Sequence, residues 1–385
     1  MRIKYFHHGL WPSASPSTAF ITYNCQGFAD HQADFELVTV ANTDRKVAEV
    51  LASDFGIEQP LRVRLLRAGP LRRSHRVVHL LAFGYFLFAR WDVLITRNLG
   101  FLPWALLLRR LRGGVVVFES HDFFSDSALR GIPEGPSTRK QGRRERRWIP
   151  RVNGVVCVSE QQRQFYLACY PDQHFATAVA GVRTHGRPRP RRSELGTLVG
   201  YFGTFDPALY DIDLMLTAIG LVTVPGCRLV MAGGLGDTAV EAMRERAVRC
   251  GVADRVEVLP WQSPLGLDSL KMRIDVGLAP LTITGRNRIG SPLKVLEYLS
   301  AGIPIVGSDL PGIHYLLGDG ACGIVADDTP TSWAAAITRI LSDPALAESL
   351  SANCLARAHD LSWGRRAGRI LDFLEELRAR PRGGD

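Results

Sequence analysis

Three side chains in the second half of the chain have types and a spacing that suit the binding of an anion. Ser291 is followed by Pro292, and Lys294 and Glu297 come next, three residues apart. Serine is a good N-cap and proline fits the first helical position, so we expect a helix to begin at Ser291. The unpaired N–H groups of its first turn, together with the Lys294 ammonium, would then attract a phosphate group.

The same spacing also has an ordinary explanation. A lysine and a glutamate three residues apart on one helix face form a surface ion pair that adds only a few tenths of a kcal/mol. Against this, cations are disfavoured at a helix N-terminus, so the position of Lys294 favours an anionic partner. Glu297 shares its face and would be placed to accept hydrogen bonds from a ribose diol. Spacing alone leaves both explanations open.

The flanking sequence predicts how this helix is held. The apolar run 275–280 predicts a buried strand, 281–290 a polar loop, and 303–306 the next strand. Gly302 is expected to end the helix, because glycine adopts the left-handed conformation that follows many helices. Strand, helix and strand in this order are typical of a parallel α/β sheet.

Similar strand-like runs recur along the chain, and helical segments separate most of them. They are 2–6, 35–40, 61–66, 92–96, 115–119, 155–159, 198–203, 228–234 and 256–261. We therefore expect parallel sheets with helices on both faces. The 385 residues are enough for two such domains.

Composition suggests where the two domains meet. Proline and arginine alternate near residue 190 and disfavour a helix there. We predict a first domain over 1–185, a linker over 186–197, a second domain over 198–362 and a C-terminal helix within 363–385.

Polar residues follow several predicted strands of the first domain. Ligands of parallel sheets bind beyond the carboxyl ends of the strands. Arg97 and Asn98 follow one strand, and His121 and Asp122 follow the next, at the expected rim of a cleft. His7 and His8, in the loop expected after the first strand, are either cleft residues or ordinary loop histidines.

Charge and composition exclude several classes of protein. The net charge is +9, and residues 1–194 carry 29 basic and 16 acidic side chains. This half is suited either to anionic lipid or a phosphorylated acceptor, or simply to a solvated arginine-rich surface. The longest apolar run, 77–88, is too short to span a bilayer, and the N-terminus lacks a signal-peptide core. Seven cysteines without C-x-x-C pairs fit reduced thiols, so we expect a cytoplasmic protein.

The run SPLKVLEYLSAGIPIVGSDLPG, residues 291–312, resembles the donor-site signature of nucleotide-sugar glycosyltransferases of retaining family 4. The resemblance implies the GT-B fold, two Rossmann-like α/β domains that face each other across a cleft. It also implies transfer of a sugar from a nucleotide-sugar, with UDP expected, to an acceptor hydroxyl, without a metal or other cofactor. Lys294 would contact the donor diphosphate and Glu297 the ribose.

The resemblance assigns roles to further positions. His121, in the motif FESHD, matches the strand-end histidine that points at the donor sugar, and we treat it with Glu297 as a catalytic candidate. The C-terminal helix is expected to pack back on the first domain. The donor-binding candidates are Gly203, Thr204, Gly233, Trp261, Arg288, Ser291, Pro292, Leu293, Lys294 and Glu297. The acceptor-side candidates are Ser17, Arg97, Asn98 and Asp122.

The chain departs from the family pattern at three donor positions. Thr204 stands where an arginine is usual, Tyr210 and Asp211 replace a lysine–glycine pair, and Ile289 replaces a second glutamate. Two other functions therefore stay open: a nucleotide-sugar epimerase of the same fold, and a non-catalytic donor-binding partner subunit of a glycosyltransferase. We interpret Asp211 and Asp213, formally a D-x-D motif, as a helix start and not as a metal site.

The expected partners follow from these assignments. They are a nucleotide-sugar donor, an acceptor that is a small molecule, a saccharide or lipid-linked, and an anionic membrane touched at its inner face by the basic first domain. The arginine-rich segment 123–148 has few interleaved aromatic residues, so nucleic acid is not expected.

Overall fold

The computed structural model describes residues 1–13, 15–126, 135–183, 197–234 and 236–380. The chain divides into two compact units, the first made of Met1–Gly181 with Trp363–Asp385 and the second of Val182–Ser362. Of the linker predicted at 186–197, only Thr197 lies within the described residues.

Within the described ranges, the first unit contains a parallel sheet of seven strands in the order β3-β2-β1-β4-β5-β6-β7. The strands are β1 (Arg2–Trp11), β2 (Asp34–Ala41), β3 (Val63–Leu66), β4 (Val93–Thr96), β5 (Val115–Ser120), β6 (Gly154–Cys157) and β7 (Phe175–Thr177). Its helices up to residue 181 are α1 (Pro16–Asp30), α2 (Val47–Phe55), α3 (His75–Phe88), α4 (Leu102–Arg112), α5 (Pro136–Trp148) and α6 (Glu160–Cys169). The loop predicted after residue 6 is wrong, because β1 continues to Trp11 with an irregular register.

The second unit contains a parallel sheet in the order β10-β9-β8-β11-β12-β13. Its strands are β8 (Leu198–Phe202), β9 (Arg228–Ala232), β10 (Val256–Leu259), β11 (Val276–Ala279), β12 (Ile305–Ser308) and β13 (Gly323–Ala326). Its helices are α7 (Ile212–Leu221), α8 (Asp237–Arg249), α9 (Pro264–Lys271), α10 (Gly285–Ile289), α11 (Leu293–Ser300), α12 (Pro311–Leu317), α13 (Pro330–Ser342) and α14 (Pro344–Asp360).

The start of α11 differs from the prediction by two residues. Pro292 has extended backbone angles and is itself the N-cap, so the helix begins at Leu293 and Ser291 does not cap it. The loop predicted over 281–290 also contains the short helix α10. Gly302 follows the helix end with a φ of +66°, as predicted. The helix start predicted at Asp211 is confirmed, since its carboxylate accepts a hydrogen bond from the Leu214 N–H at 2.9 Å.

Tyr298 anchors α11 to the centre of the second sheet. Its fully buried hydroxyl lies 3.1 Å from the Gly200 carbonyl oxygen and 3.2 Å from that of Leu278, and it accepts a hydrogen bond from the Phe202 N–H at 3.1 Å. The ring packs on Gly277, where a Cβ atom would lie 2.6 Å from it. One side chain thus fixes the helix across β8 and β11.

The last helix, α15 (Trp363–Ala379), belongs to the first unit and packs on α1. The approach is close, because a Cβ at Gly27 would lie 2.3 Å from the Trp363 carbonyl oxygen. Arg366 points from this helix into the first unit and is 2% exposed.

We predict that Tyr298→Phe lowers the free energy of unfolding by about 1–3 kcal/mol, because it leaves buried backbone groups without their partner. Denaturant unfolding of the full chain measures the change. Tyr315→Phe is the matched control, because Tyr315 is 39% exposed. Equal stability of the two variants would contradict the anchoring role.

Candidate functional site

The Lys294 ammonium lies buried in the first turn of α11, without a hydrogen-bond partner among the described residues. Lys294 is 6% exposed, and its Nζ lies 3.3 Å from the ring centre of Tyr210 and 3.8 Å from that of Tyr201. Aromatic faces attract a cation but do not neutralise it. Burial lowers the pKa of Lys294 well below its usual value. A buried ammonium is costly unless an anion pairs with it.

One glycine that the sequence singled out, Gly203, lies beside this ammonium, and a second, Gly233, lies against Gly203. Gly203 follows β8 with a φ of +152°, and a Cβ there would lie 3.0 Å from both Cε and Nζ of Lys294. Gly233 follows β9, where a Cβ would lie 1.7 Å from the Gly203 carbonyl oxygen. The carboxyl end of β8 therefore meets the start of α11 at a position without a side chain, and the end of β9 packs against the end of β8. Parallel α/β sheets bind ligands at this edge.

The other donor-binding candidates differ in how far they are exposed. The Ser291 hydroxyl is buried and has no hydrogen-bond partner among the described residues. Arg288 is exposed on α10, and Thr204 is exposed with its carbonyl oxygen bound to the Tyr201 hydroxyl at 2.6 Å. Trp261 is 42% exposed and is therefore not a core residue. Pro292 and Leu293 form the start of α11 itself.

The sequence did not indicate which side chains surround Lys294. Sequence patterns predict only that Tyr201 belongs to a strand and show Tyr210 as a departure from the family pattern. Burial raises the pKa of Tyr210, and the nearby positive charge of Arg286 opposes that shift. Arg286 is thus a second cation close to this pocket that sequence reasoning missed.

Glu297 is the centre of an ion-pair network within the second unit. Its Oε2 accepts hydrogen bonds from Arg183 at 2.9 Å and from Lys271 at 2.7 Å, and both cations also contact Asp268. Burial would raise the pKa of Glu297, but Lys271 and Arg183 outweigh it and lower the pKa to about 2. The carboxylate is therefore ionised at neutral pH, and its side chain stays 27% exposed. The simple Lys294–Glu297 surface pair is wrong, because Lys294 is buried and Glu297 pairs with other cations.

His121 belongs to a buried charged cluster of the first unit. Its Nε2 lies 2.5 Å from Oε1 of Glu119, and Oε2 of Glu119 lies 3.2 Å from Arg366. Burial would raise the pKa of Glu119, but Arg366 and His121 outweigh it and lower the pKa to about 2. Burial, reinforced by Arg97, lowers the pKa of His121 to about 4, so the imidazole is neutral at physiological pH. Neither Glu119 nor Arg366 was predicted as a site residue.

The acceptor-side candidates lie near strand ends of the first unit. Arg97 stacks over Phe20 at 5.3 Å, and its Nη1 is buried without a hydrogen-bond partner in the described part of the chain. Asn98 accepts a hydrogen bond from the His8 N–H at 2.9 Å. The Asp122 carbonyl oxygen accepts one from the Ser120 hydroxyl at 2.6 Å. Ser17 lies in the first turn of α1, where its hydroxyl contacts that of Ser15, the N-cap.

With this geometry described, the chain can be compared with known proteins. Residues 196–343 match the family model described as glycosyl transferases, group 1. The matched segment lies within the second unit and contains the Lys294 pocket, Glu297 and both of the glycines described above.

Related sequences bear names of the same class. D-inositol 3-phosphate glycosyltransferase of Segniliparus rotundus is 28% identical over 214 residues, which are 53% of this chain and 46% of the relative. The enzyme of that name from Rhodococcus opacus is 26% identical over 264 residues, 64% of this chain and 58% of the relative. The chain thus spans about half the length of these relatives.

Solved structures match the two-unit fold over nearly its full length. Sucrose-phosphate synthase from Thermosynechococcus elongatus has a TM-score of 0.75 at 17% identity and covers 98% of this chain and 99% of its own. Anabaena HepE, solved with UDP and glucose, has a TM-score of 0.72 at 14% identity. The match covers 98% of this chain and 100% of HepE. The predicted GT-B fold class, with two parallel-sheet α/β units, is confirmed.

We predict that Lys294→Met stabilises the ligand-free protein by about 1 kcal/mol, because the cost of an unpaired buried ammonium exceeds its attraction to the two rings. Thermal unfolding measures the change, and Lys46→Met, at an exposed lysine, is the control. A variant clearly less stable than the wild type would show that the ammonium is a structural group.

The pH dependence of this difference has a definite sign. The unfolded chain holds the lysine proton up to about the ordinary pKa of 10.5, whereas the folded chain disfavours it. Stability of the wild type therefore rises with pH through the window between the lowered pKa and 10.5. Lys294→Met should lack this rise, and unfolding measured at several pH values in that window checks it.

Proposed function

We propose that the chain is a glycosyltransferase that moves a sugar from a nucleotide-sugar, with UDP as the nucleotide, to an acceptor hydroxyl. The Lys294 ammonium is the observation that carries this proposal. It is buried, has no hydrogen-bond partner among the described residues and lies at a helix start beside Gly203, where a diphosphate would neutralise it. The match to the group 1 model and the relatives named glycosyltransferases support the same activity.

The chemistry follows from where negative charge develops. As the bond between sugar and diphosphate breaks, the departing diphosphate gains charge, and Lys294 with the first N–H groups of α11 would stabilise it. These groups supply the positive charge from the protein itself, so we propose a transfer that needs no metal. Glu297, ionised and partly exposed, would bind the ribose hydroxyls. Retention of the anomeric configuration is proposed from the resemblance of residues 291–312 to family 4.

We assign the first unit to the acceptor and to orientation of the sugar. His121 is neutral and is held by Glu119, so it is suited to a hydrogen bond with a sugar hydroxyl and to positioning. The acceptor would be a small molecule, a saccharide or a lipid-linked alcohol. The positive charge of the first unit favours one that carries a phosphate, as the names of the relatives indicate.

Calorimetric titration of the full chain with UDP, GDP and ADP tests the donor assignment. We expect UDP to bind, and Lys294→Met to weaken its binding by about 1.5–3 kcal/mol, roughly ten- to hundredfold. Lys46→Met should bind as the wild type does. Unchanged UDP affinity in Lys294→Met would refute the diphosphate site.

A donor-binding partner subunit without catalysis is the second candidate. Two cations expected from the family are replaced at Thr204 and Tyr210, and the ring of Tyr210 lies 3.3 Å from Lys294. Sugar release from UDP-sugars, measured with and without cell extract, separates the functions. Transfer requires an acceptor, an epimerase changes the sugar without one, and an inert binder does neither.

We also propose that the first unit binds an anionic membrane surface peripherally, at the inner face. Helices α3 and α4 pack together through Phe83 and Trp104, whose ring centres are 5.2 Å apart. Their outer sides carry large exposed apolar residues, namely Leu80 (58%), Leu81 (39%), Phe88 (83%), Leu107 (42%) and Leu111 (58%). Within the described residues, no helix has the length and apolarity to cross a bilayer. Exposed apolar side chains on a charged helix pair suit insertion at the interface.

Charge favours an anionic membrane over a neutral one. Residues 59–118 contain eleven arginines and a single acidic residue, Asp92. Each basic residue near an anionic surface contributes about 1 kcal/mol to binding. The same stretch supplies both the apolar side chains and the positive charge.

Sedimentation with vesicles tests this assignment. The wild type should bind vesicles that contain phosphatidylglycerol, more weakly at high salt, and should not bind pure phosphatidylcholine. The double variant Leu80→Asp, Phe88→Asp should lose binding about tenfold or more, because it adds repulsion and removes apolar contact. Leu221→Asp, at a leucine 47% exposed in the second unit, is the control. Equal binding of the double variant and of Leu221→Asp to the anionic vesicles would contradict the proposal.

A further inference from the structure

Three histidines of the first unit converge at a place that the proposed transfer does not use. His8 comes from β1, and His75 and His79 come from the first two turns of α3. One ring nitrogen from each lies within 4.8 Å of the other two. Residues four apart share a helix face, so α3 directs both of its imidazoles to the same side, where β1 presents the third.

The contacts within the protein do not account for this cluster. His79 is 7% exposed, and its Nε2 has no hydrogen-bond partner in the described part of the chain. Nδ1 of His8 is likewise buried and without such a partner. The rings of His8 and His75 meet edge to face at 4.3 Å. Buried ring nitrogens without partners are expensive, so these nitrogens are suited to binding a ligand.

We propose that His8, His75 and His79 bind one divalent transition-metal ion of the zinc or nickel class, with a further position open to solvent. Imidazole nitrogen is a preferred ligand of these metals and a poor one for Mg²⁺ or Ca²⁺. His75 is exposed, which gives the ion a path of entry. The ion would fasten α3 to β1 and would stabilise the first unit, separately from the diphosphate chemistry of the second.

Two nearby guanidinium groups affect whether a cation or an anion would bind to the three histidines. Arg97 lies near His8, and Arg144 lies near His79 beside Gly100. Their charge weakens the binding of a cation and would strengthen that of an anion such as phosphate. Burial lowers the pKa of His8 to about 3 and that of His79 to about 4, so these two imidazoles add no positive charge at neutral pH.

The test is calorimetric titration of the tag-free, chelator-treated full chain with Zn²⁺, and absorption spectroscopy with Co²⁺. We expect one ion per chain and a raised melting temperature with Zn²⁺. His75→Ala, at an exposed position, should weaken the affinity by about a hundredfold or more, since even loss of an outer-shell partner costs 10–100-fold. His314→Ala, at a surface histidine of the second unit, should leave it unchanged.

Arg144→Gln should change the Zn²⁺ affinity in the direction opposite to His75→Ala. It should tighten Zn²⁺ binding, because it removes a positive charge beside the ion. No saturable binding, or binding that persists in His75→Ala, would overturn the proposal. The proposal would also be overturned if the chain bound inorganic phosphate and Arg144→Gln weakened that binding. Such a result would assign an anion to the cluster.

Discussion

The second unit is organised around a positive charge that the folded protein buries without neutralising. Lys294 is enclosed by the rings of Tyr201 and Tyr210, and the backbone of Gly203 approaches it directly. Tyr298, one turn further along α11, fixes to β8 and β11 the helix that carries Lys294. A lysine on a helix fixed in this way would need little reorganisation to bind the proposed diphosphate.

In the first unit, neighbouring side chains compensate the buried charge. The carboxylate of Glu119 is 1% exposed, but Arg366 and His121 flank it on both oxygens. The contact with Glu119 fixes the imidazole, and burial together with Arg97 keeps it neutral. A fixed, uncharged imidazole is suited to orienting a hydroxyl, whereas an uncompensated cation is suited to holding an anion. The two units therefore offer complementary chemistry within the same strand–helix architecture.

Local sequence patterns predicted the strands, the α11 region and the glycine that ends it, because these depend on apolar runs and on turn residues. The predicted cap at Ser291 was wrong, since Pro292 took that position with an extended backbone. Pairings between distant residues left no local signal. Glu297 with Arg183, and Glu119 with Arg366, join positions more than a hundred residues apart. The same holds for His8 with His75, which were visible only as scattered histidines.

The place of α15 has a consequence for biosynthesis. Arg366, the cation that balances Glu119, lies 247 positions later in the chain, on the last helix of a unit that begins at Met1. The second unit is one continuous segment, so all of it leaves the ribosome before that helix does. The first unit is therefore completed only after the second has been synthesised, and its buried carboxylate lacks this arginine until residue 366 has been added.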